Sequence, residues 1–217
     1  MKVMRRNEVT VNKETGFEVG DQIKIWRFYT ATCQKVGKNG AIFMMDQYLD
    51  HAAAINTNEK NESGYEKSDL RRVLQDMVRH PMFDEVRSML VPFKNGDYFR
   101  IPTAEEMLGA EEAHKYYEIL NNKKQWPLMK DRKNRIAFRG ENQEIEWGWL
   151  QNKRKNSTFL FGILACSGDN YGANASGING VRVVFRLSLD HQHPSSAREE
   201  VMKMLGERGD ESNEDSE

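Results

Sequence analysis

The chain has 217 residues, and 32 lysines and arginines nearly balance 33 aspartates and glutamates, so no overall field favours a polyanion or an anionic membrane as partner. Hydrophobic residues at 38%, with aromatics at 10%, suffice for one sizeable core, whereas two cysteines, Cys33 and Cys166, are too few for a disulfide framework or a four-ligand zinc site. The first seven residues are basic but lack the apolar run of a secretory signal, and no window could span a bilayer, so a cytoplasmic or virion-associated protein without a membrane role is expected.

Residues 1–14 read as an extension ahead of a domain over residues 15–190. Residues 22–28 alternate polar and apolar side chains, the period of a half-buried strand, after a turn at Val19, Gly20 and Asp21. Lys38, Asn39 and Gly40 mark a tight turn and residues 41–45 are a short apolar run, so residues 22–48 are predicted as a hairpin with its second strand buried. Residues 56–64 are polar and read as a surface loop. Ser68 can cap a helix whose apolar positions, Leu70, Val73, Leu74, Met77 and Val78, keep helical spacing until Pro81 stops it. A short helix over about residues 84–90, a turn at Asn95 and Gly96, and a strand over residues 98–101 ended by Pro102 come next. Thr103 with Glu106 three residues on is a capping-box pattern, opening a helix that Gly109 ends. Residues 111–120 then set Ala113, Tyr116, Tyr117 and Leu120 on one helical face.

From about Trp126 onward, short apolar clusters alternate with Gly, Asn and Ser, the texture of strands and loops. Residues 147–150, 158–164 and 181–187 are the strand candidates, and the Gly- and Asn-rich residues 167–180 between the last two cannot form a strand throughout. Ser196 can cap a last helix within residues 191–206, and the acidic residues 207–217 have nothing to bury and are expected to be disordered.

The stretch 123–155 gathers Lys123, Lys124, Lys130, Arg132, Lys133, Arg135, Arg139, Lys153, Arg154 and Lys155 around Trp126, Trp147 and Trp149. Cations that hold phosphates beside aromatics that stack on bases describe a nucleic-acid face, and equally a solvated face over a tryptophan core. One reading is therefore an intracellular regulator meeting nucleic acid or a host protein through this segment. His191 and His193 lack an accompanying acid or cysteine and read as a connector. Asp169, Asn170, Asn174 and Asn179 are oxygen donors with a single charge among them, too little for a tight calcium site. No metal or other cofactor is expected, and no catalytic constellation is readable.

Five segments fall in a recognisable order: Tyr65 with Ser68-Asp69-Leu70-Arg71; Leu90-Val91-Pro92-Phe93; Ile101-Pro102-Thr103; Trp147-Gly148-Trp149-Leu150; and Gly180-Val181-Arg182-Val183-Val184. Over residues 15–189 this order resembles a domain family found widely in Firmicutes and their phages, with Gln151 where that family commonly has Arg and Val183 where it commonly has Pro. The closing segment, with Arg139-Gly140 upstream, is also similar to the ending of C-type-lectin-like domains such as the formylglycine-generating enzyme group. The resemblance implies an α+β, C-type-lectin-like fold: an amino-terminal hairpin and helices packed on a small twisted antiparallel sheet, with long loops on one side. Copper oxidase chemistry of that group needs two neighbouring cysteines, which Cys33 and Cys166 are not expected to provide. The resemblance points instead to a phage- or prophage-encoded module that binds a protein or glycan. Residues 167–180 are the expected contact loop, because Tyr supplies area and Asn or Ser supplies adaptable hydrogen bonds. Trp149, Asp169, Asn170, Tyr171, Asn174 and Asn179 are the residues expected to line it.

Overall fold

The computed structural model describes residues 3–5, 16–120, 124–140 and 144–188. The expected helix over 191–206, the tail 207–217, His191, His193, Lys123 and most of the amino-terminal extension lie outside the described residues. The strands are β1 (Val3–Arg5), β2 (Asp21–Trp26), β3 (Tyr29–Gly37), β4 (Gly40–Met45), β5 (Gln47–Tyr48), β6 (Phe99–Arg100), β7 (Phe138–Arg139), β8 (Glu144–Ile145), β9 (Gly148–Lys153), β10 (Leu160–Leu164), β11 (Asn170–Asn174) and β12 (Val184–Leu187). The α-helices are α1 (Asp69–Asp76), α2 (Asp84–Arg87), α3 (Ala104–Leu108) and α4 (Ala110–Tyr116). The fold is mixed α+β, with a six-stranded sheet in the order β1-β2-β3-β4-β12-β6 and two three-stranded sheets, β11-β10-β9 and β5-β7-β8.

Residues 22–48 hold two hairpins where the sequence reading predicts one. The first reverses between Trp26 and Tyr29, through Arg27 in the left-handed region (φ 48°) and Phe28, a pair without turn chemistry. The second reverses at the Lys38-Asn39 signal, where Gly37 pairs with Gly40. Gly40 has φ 115°, and a side chain there would run into the Leu187 carbonyl. The closing segment does enter the large sheet, since Val184 and Phe185 pair with both β4 and β6.

The neighbouring strands β4 and β12 are buried on both faces along most of their length. Ala41, Phe43, Met45, Phe185 and Leu187 face one core with Ile23, Leu74 and Phe83. Met44 and Val184 face a second core with Met107, Tyr117 and Trp126. That is why residues 41–45 read as an unbroken apolar run and not as an alternation.

Residues 167–180 are not one loop, because β11 pairs with β10 across five positions, with Gly172 opposite Gly162. Glycine is a poor strand former, and here the absence of side chains is what the packing uses: Tyr117 lies against Gly162 and Arg154 against Gly172.

Helix ends follow the sequence signals. Ser68 Oγ accepts from the Arg71 amide at 3.1 Å, and the Thr103/Glu106 capping box is formed in both directions at 3.3 and 3.0 Å. The same Glu106 carboxylate takes a bidentate pair from Arg100, 2.7 Å on each oxygen, with Glu106 fully buried. Asn152 accepts from the Ala104 amide at 2.7 Å and Gln151 donates to the Ile101 carbonyl at 2.5 Å, which fastens β9 to the start of α3. The segments that carry the family resemblance are thus tied into the frame. Arg71 makes a two-point pair with Asp97, 2.8 Å each, and Arg182 donates to the carbonyls of Met45 (2.7 Å) and Asn134 (3.1 Å). Tyr48 is held against both Gly148 and Gly180, where added Cβ atoms would come within 2.5 and 2.7 Å of its ring.

Candidate functional site

The six residues expected to form one contact loop separate into three groups. Trp149 is 1% exposed in the core and its indole donates to the Ala53 carbonyl at 2.6 Å. Asn179 is 8% exposed, with its backbone bridged to Ala53 in both directions at 3.0 and 3.2 Å. Both are corrections to the expected surface, and the reason is common to them: the chain segment around Ala53 covers this end of the three-stranded sheet. Asp169 is committed to Arg132 at 3.0 Å and accepts from the Ser167 hydroxyl at 2.8 Å. Asn170 and Asn174 alternate with Tyr171 along β11 and so lie on the other side of it, together with Gly172 and the overlying Arg154. Asn174 Oδ1 is drawn into the following turn by the Ser176 amide and hydroxyl, both at 3.4 Å.

Tyr171 is 52% exposed, and it is joined by a residue outside the expected set, Trp147, which is 45% exposed. Their rings stack with centroids 6.1 Å apart and planes inclined by 19°. Both are placed by rigid backbone. The Trp147 carbonyl accepts from the Gly180 amide at 2.7 Å, one residue from the seam against Tyr48. The Tyr171 carbonyl accepts from the Tyr117 phenol at 2.7 Å, and burial raises the pKa of Tyr117 so that the phenol remains a donor. The result is a flat aromatic plate at the rim of β9-β10-β11, backed by the core. Trp147 and Trp149 are two residues apart and share a face of the chain, so the sequence pattern treats them alike. Tertiary packing separates them, since Trp149 lies in the main core and donates to Ala53 while Trp147 stays at the rim.

The basic segment is largely occupied by internal contacts. Arg132 Nε donates to the Ser167 carbonyl at 2.6 Å in addition to pairing with Asp169, and Arg135 Nε donates to Met129 at 2.8 Å, its pKa lowered chiefly by burial. Lys153 pairs with Glu118 at 3.0 Å, Arg154 lies over the Tyr116 ring at 5.8 Å, and Lys155 donates to the His114 carbonyl. Among the described residues, Lys124, Lys130 and Lys133 are the members of the expected patch whose ammonium groups have no such partner. Arg132 joins the two expected sites to each other: Gly168, at φ 78°, packs a Cβ-less backbone directly against the Arg132 carbonyl.

No helix among the described residues is long and apolar enough to cross a membrane, and no group of three or more His, Cys, Asp or Glu is gathered as a metal site needs. Comparison with family models, with curated proteins and with solved structures returned no match to this chain.

Proposed function

We propose that this chain is a binding module with a C-type-lectin-like fold, and that it recognises a protein or glycan through the plate formed by Trp147 and Tyr171. The observation that carries this reading is the stacked pair itself: two large aromatic rings, each about half exposed, fixed on backbone that core residues hold in place. Rings already held in position give contact area at little further entropic cost, which is why Tyr and Trp dominate the energetics of recognition surfaces. The amides of Asn170 and Asn174 on the neighbouring side of the strand supply hydrogen bonds at the margin. The nucleic-acid reading has weaker support, because Arg132, Arg135, Lys153, Arg154 and Lys155 are engaged within the fold.

An array of glycans and of bacterial and phage surface proteins, probed with the wild type and with Trp147→Ala and Tyr171→Ala, tests the proposal. A ligand whose affinity falls at least tenfold, about 1.4 kcal/mol, in both variants supports it. Equal binding by all three proteins sinks it.

A further inference from the structure

On the side of the large sheet facing the 3-10 turns Pro127–Lys130 and Arg132–Arg135 lies a cleft of about 320 Å³ that the aromatic plate does not use. One wall comes from β2 and β3, where Gln22, Thr30, Thr32 and Gln34 project from the sheet face opposite the core residues Ala31 and Cys33. Asp46 stands at the end of β4 beside them. The other wall is apolar in part, with Leu128, Ile136 and Phe138.

The polar wall is built to accept hydrogen bonds. Asp46 is approached by three neutral donors: Gln22 Nε2 at 2.6 Å, Thr30 Oγ1 at 2.8 Å and Thr32 Oγ1 at 2.7 Å. A carboxylate has room for about four, so one direction stays open. Both threonine hydroxyls spend their protons on Asp46 and keep lone pairs to offer. Gln34 sits in a β-bulge between Cys33 and Lys35, is 1% exposed, and donates its amide to the Thr32 carbonyl at 3.0 Å. Its buried Oε1 accepts nothing among the described residues. Bulges re-aim side chains, and a buried acceptor left without a donor is a standing cost to the fold.

We infer that this cleft is a binding site for a neutral polyhydroxyl ligand of monosaccharide size. The acceptor-rich wall asks for a donor-rich guest. The charges lining the cleft select among donors, since Lys133 and the Arg182 guanidinium, bound to Met45 and Asn134 carbonyls, stand against the single carboxylate of Asp46 and disfavour a cationic guest. An anionic guest would meet the Lys133 ammonium but also the Asp46 carboxylate, and the phosphate comparison below tests for it. The apolar wall suits the C–H face of a sugar ring, and the volume falls at the small end of ligand pockets. The guest's hydroxyls would donate to the threonine Oγ1 atoms and to the open direction of Asp46.

The test is an NMR titration of the full chain with D-glucose, D-galactose, N-acetyl-D-glucosamine and myo-inositol, following the side-chain amides of Gln22 and Gln34. Inorganic phosphate and L-arginine serve as charged comparisons. The expected result is a saturable shift with at least one neutral probe, a dissociation constant raised at least tenfold in Asp46→Asn, and no change in Phe159→Ala. Gln34→Leu should raise Tm, because it removes a buried acceptor that has no partner among the described residues. No saturable shift with any neutral probe, saturation by phosphate or arginine alone, or an unchanged constant in Asp46→Asn would overturn the assignment. Because the wild-type amide shifts report binding directly, the outcome does not depend on every variant folding.

Discussion

Two regions of this molecule are built on opposite terms. At the seam where Tyr48 meets Gly148 and Gly180, and in the bidentate Arg100/Glu106 pair at α3, the groups are closely packed or paired and have almost no exposure. At the rim of β9-β10-β11, Trp147 and Tyr171 leave about half their area uncovered. Most of the recognisable motif residues belong to the first kind of region, Trp147 being an exception that opens one motif yet stands at the rim. Patterns that stand out in a sequence can therefore mark how a frame is locked as readily as they mark an exposed surface.

The sharpest way to break this contrast is to attack the buried pair. Arg100→Met strips the guanidinium from a fully buried carboxylate and is expected to destabilise the fold by about 3–5 kcal/mol, read from the denaturant midpoint. Gly148→Ala places a Cβ 2.5 Å from the Tyr48 ring and should cost about 1–3 kcal/mol. Combining it with Tyr48→Leu should recover part of that loss in a double-mutant cycle. If the two changes simply add, the seam is not the constraint described here.

Alkaline pH probes the same frame without mutation. Burial lifts the Cys33 thiol from its ordinary 9.0 to about 12 and the Tyr48 phenol from 10.0 to about 12. Both groups hold protons in the folded state that the unfolded chain releases. Their contribution is complete below about pH 9 and is lost as pH rises toward 12, with a slope of up to about 1.4 kcal/mol per pH unit for each group. Unfolding monitored from pH 8 to 12 should show this decline, and a flat profile would contradict it. Cys166 is exposed and should react with a thiol reagent in the native state at a rate that Cys33 does not match. The smallest effect belongs to the rim: Trp147→Ala and Tyr171→Ala should each move stability by no more than about 0.5 kcal/mol while changing ligand binding. A large loss of stability in either would place that ring in the frame.

Much of the frame was legible in the sequence because its signals are local. Ser68, the Thr103/Glu106 box and the Lys38-Asn39 turn act over three or four residues, and all appear as read. The turn at Arg27 and Phe28 was hidden because neither residue has turn chemistry, and β11 was hidden because its Gly172 is strand material only where Arg154 covers it. Cation counts along 123–155 likewise say nothing of which charges are already paired, since Glu118 and Asp169 come from other parts of the chain.

By itself the sequence determined the α+β character, the helix caps and the buried strand at residues 41–45, since each rests on spacing within one short segment. Which tryptophan is covered, where Asp169 is held and which acceptors line the cleft beside Asp46 were decided only by the tertiary structure. The physical reason is that burial and pairing are properties of contacts between distant segments, and Trp147 differs from Trp149 in nothing but what the rest of the chain lays over it.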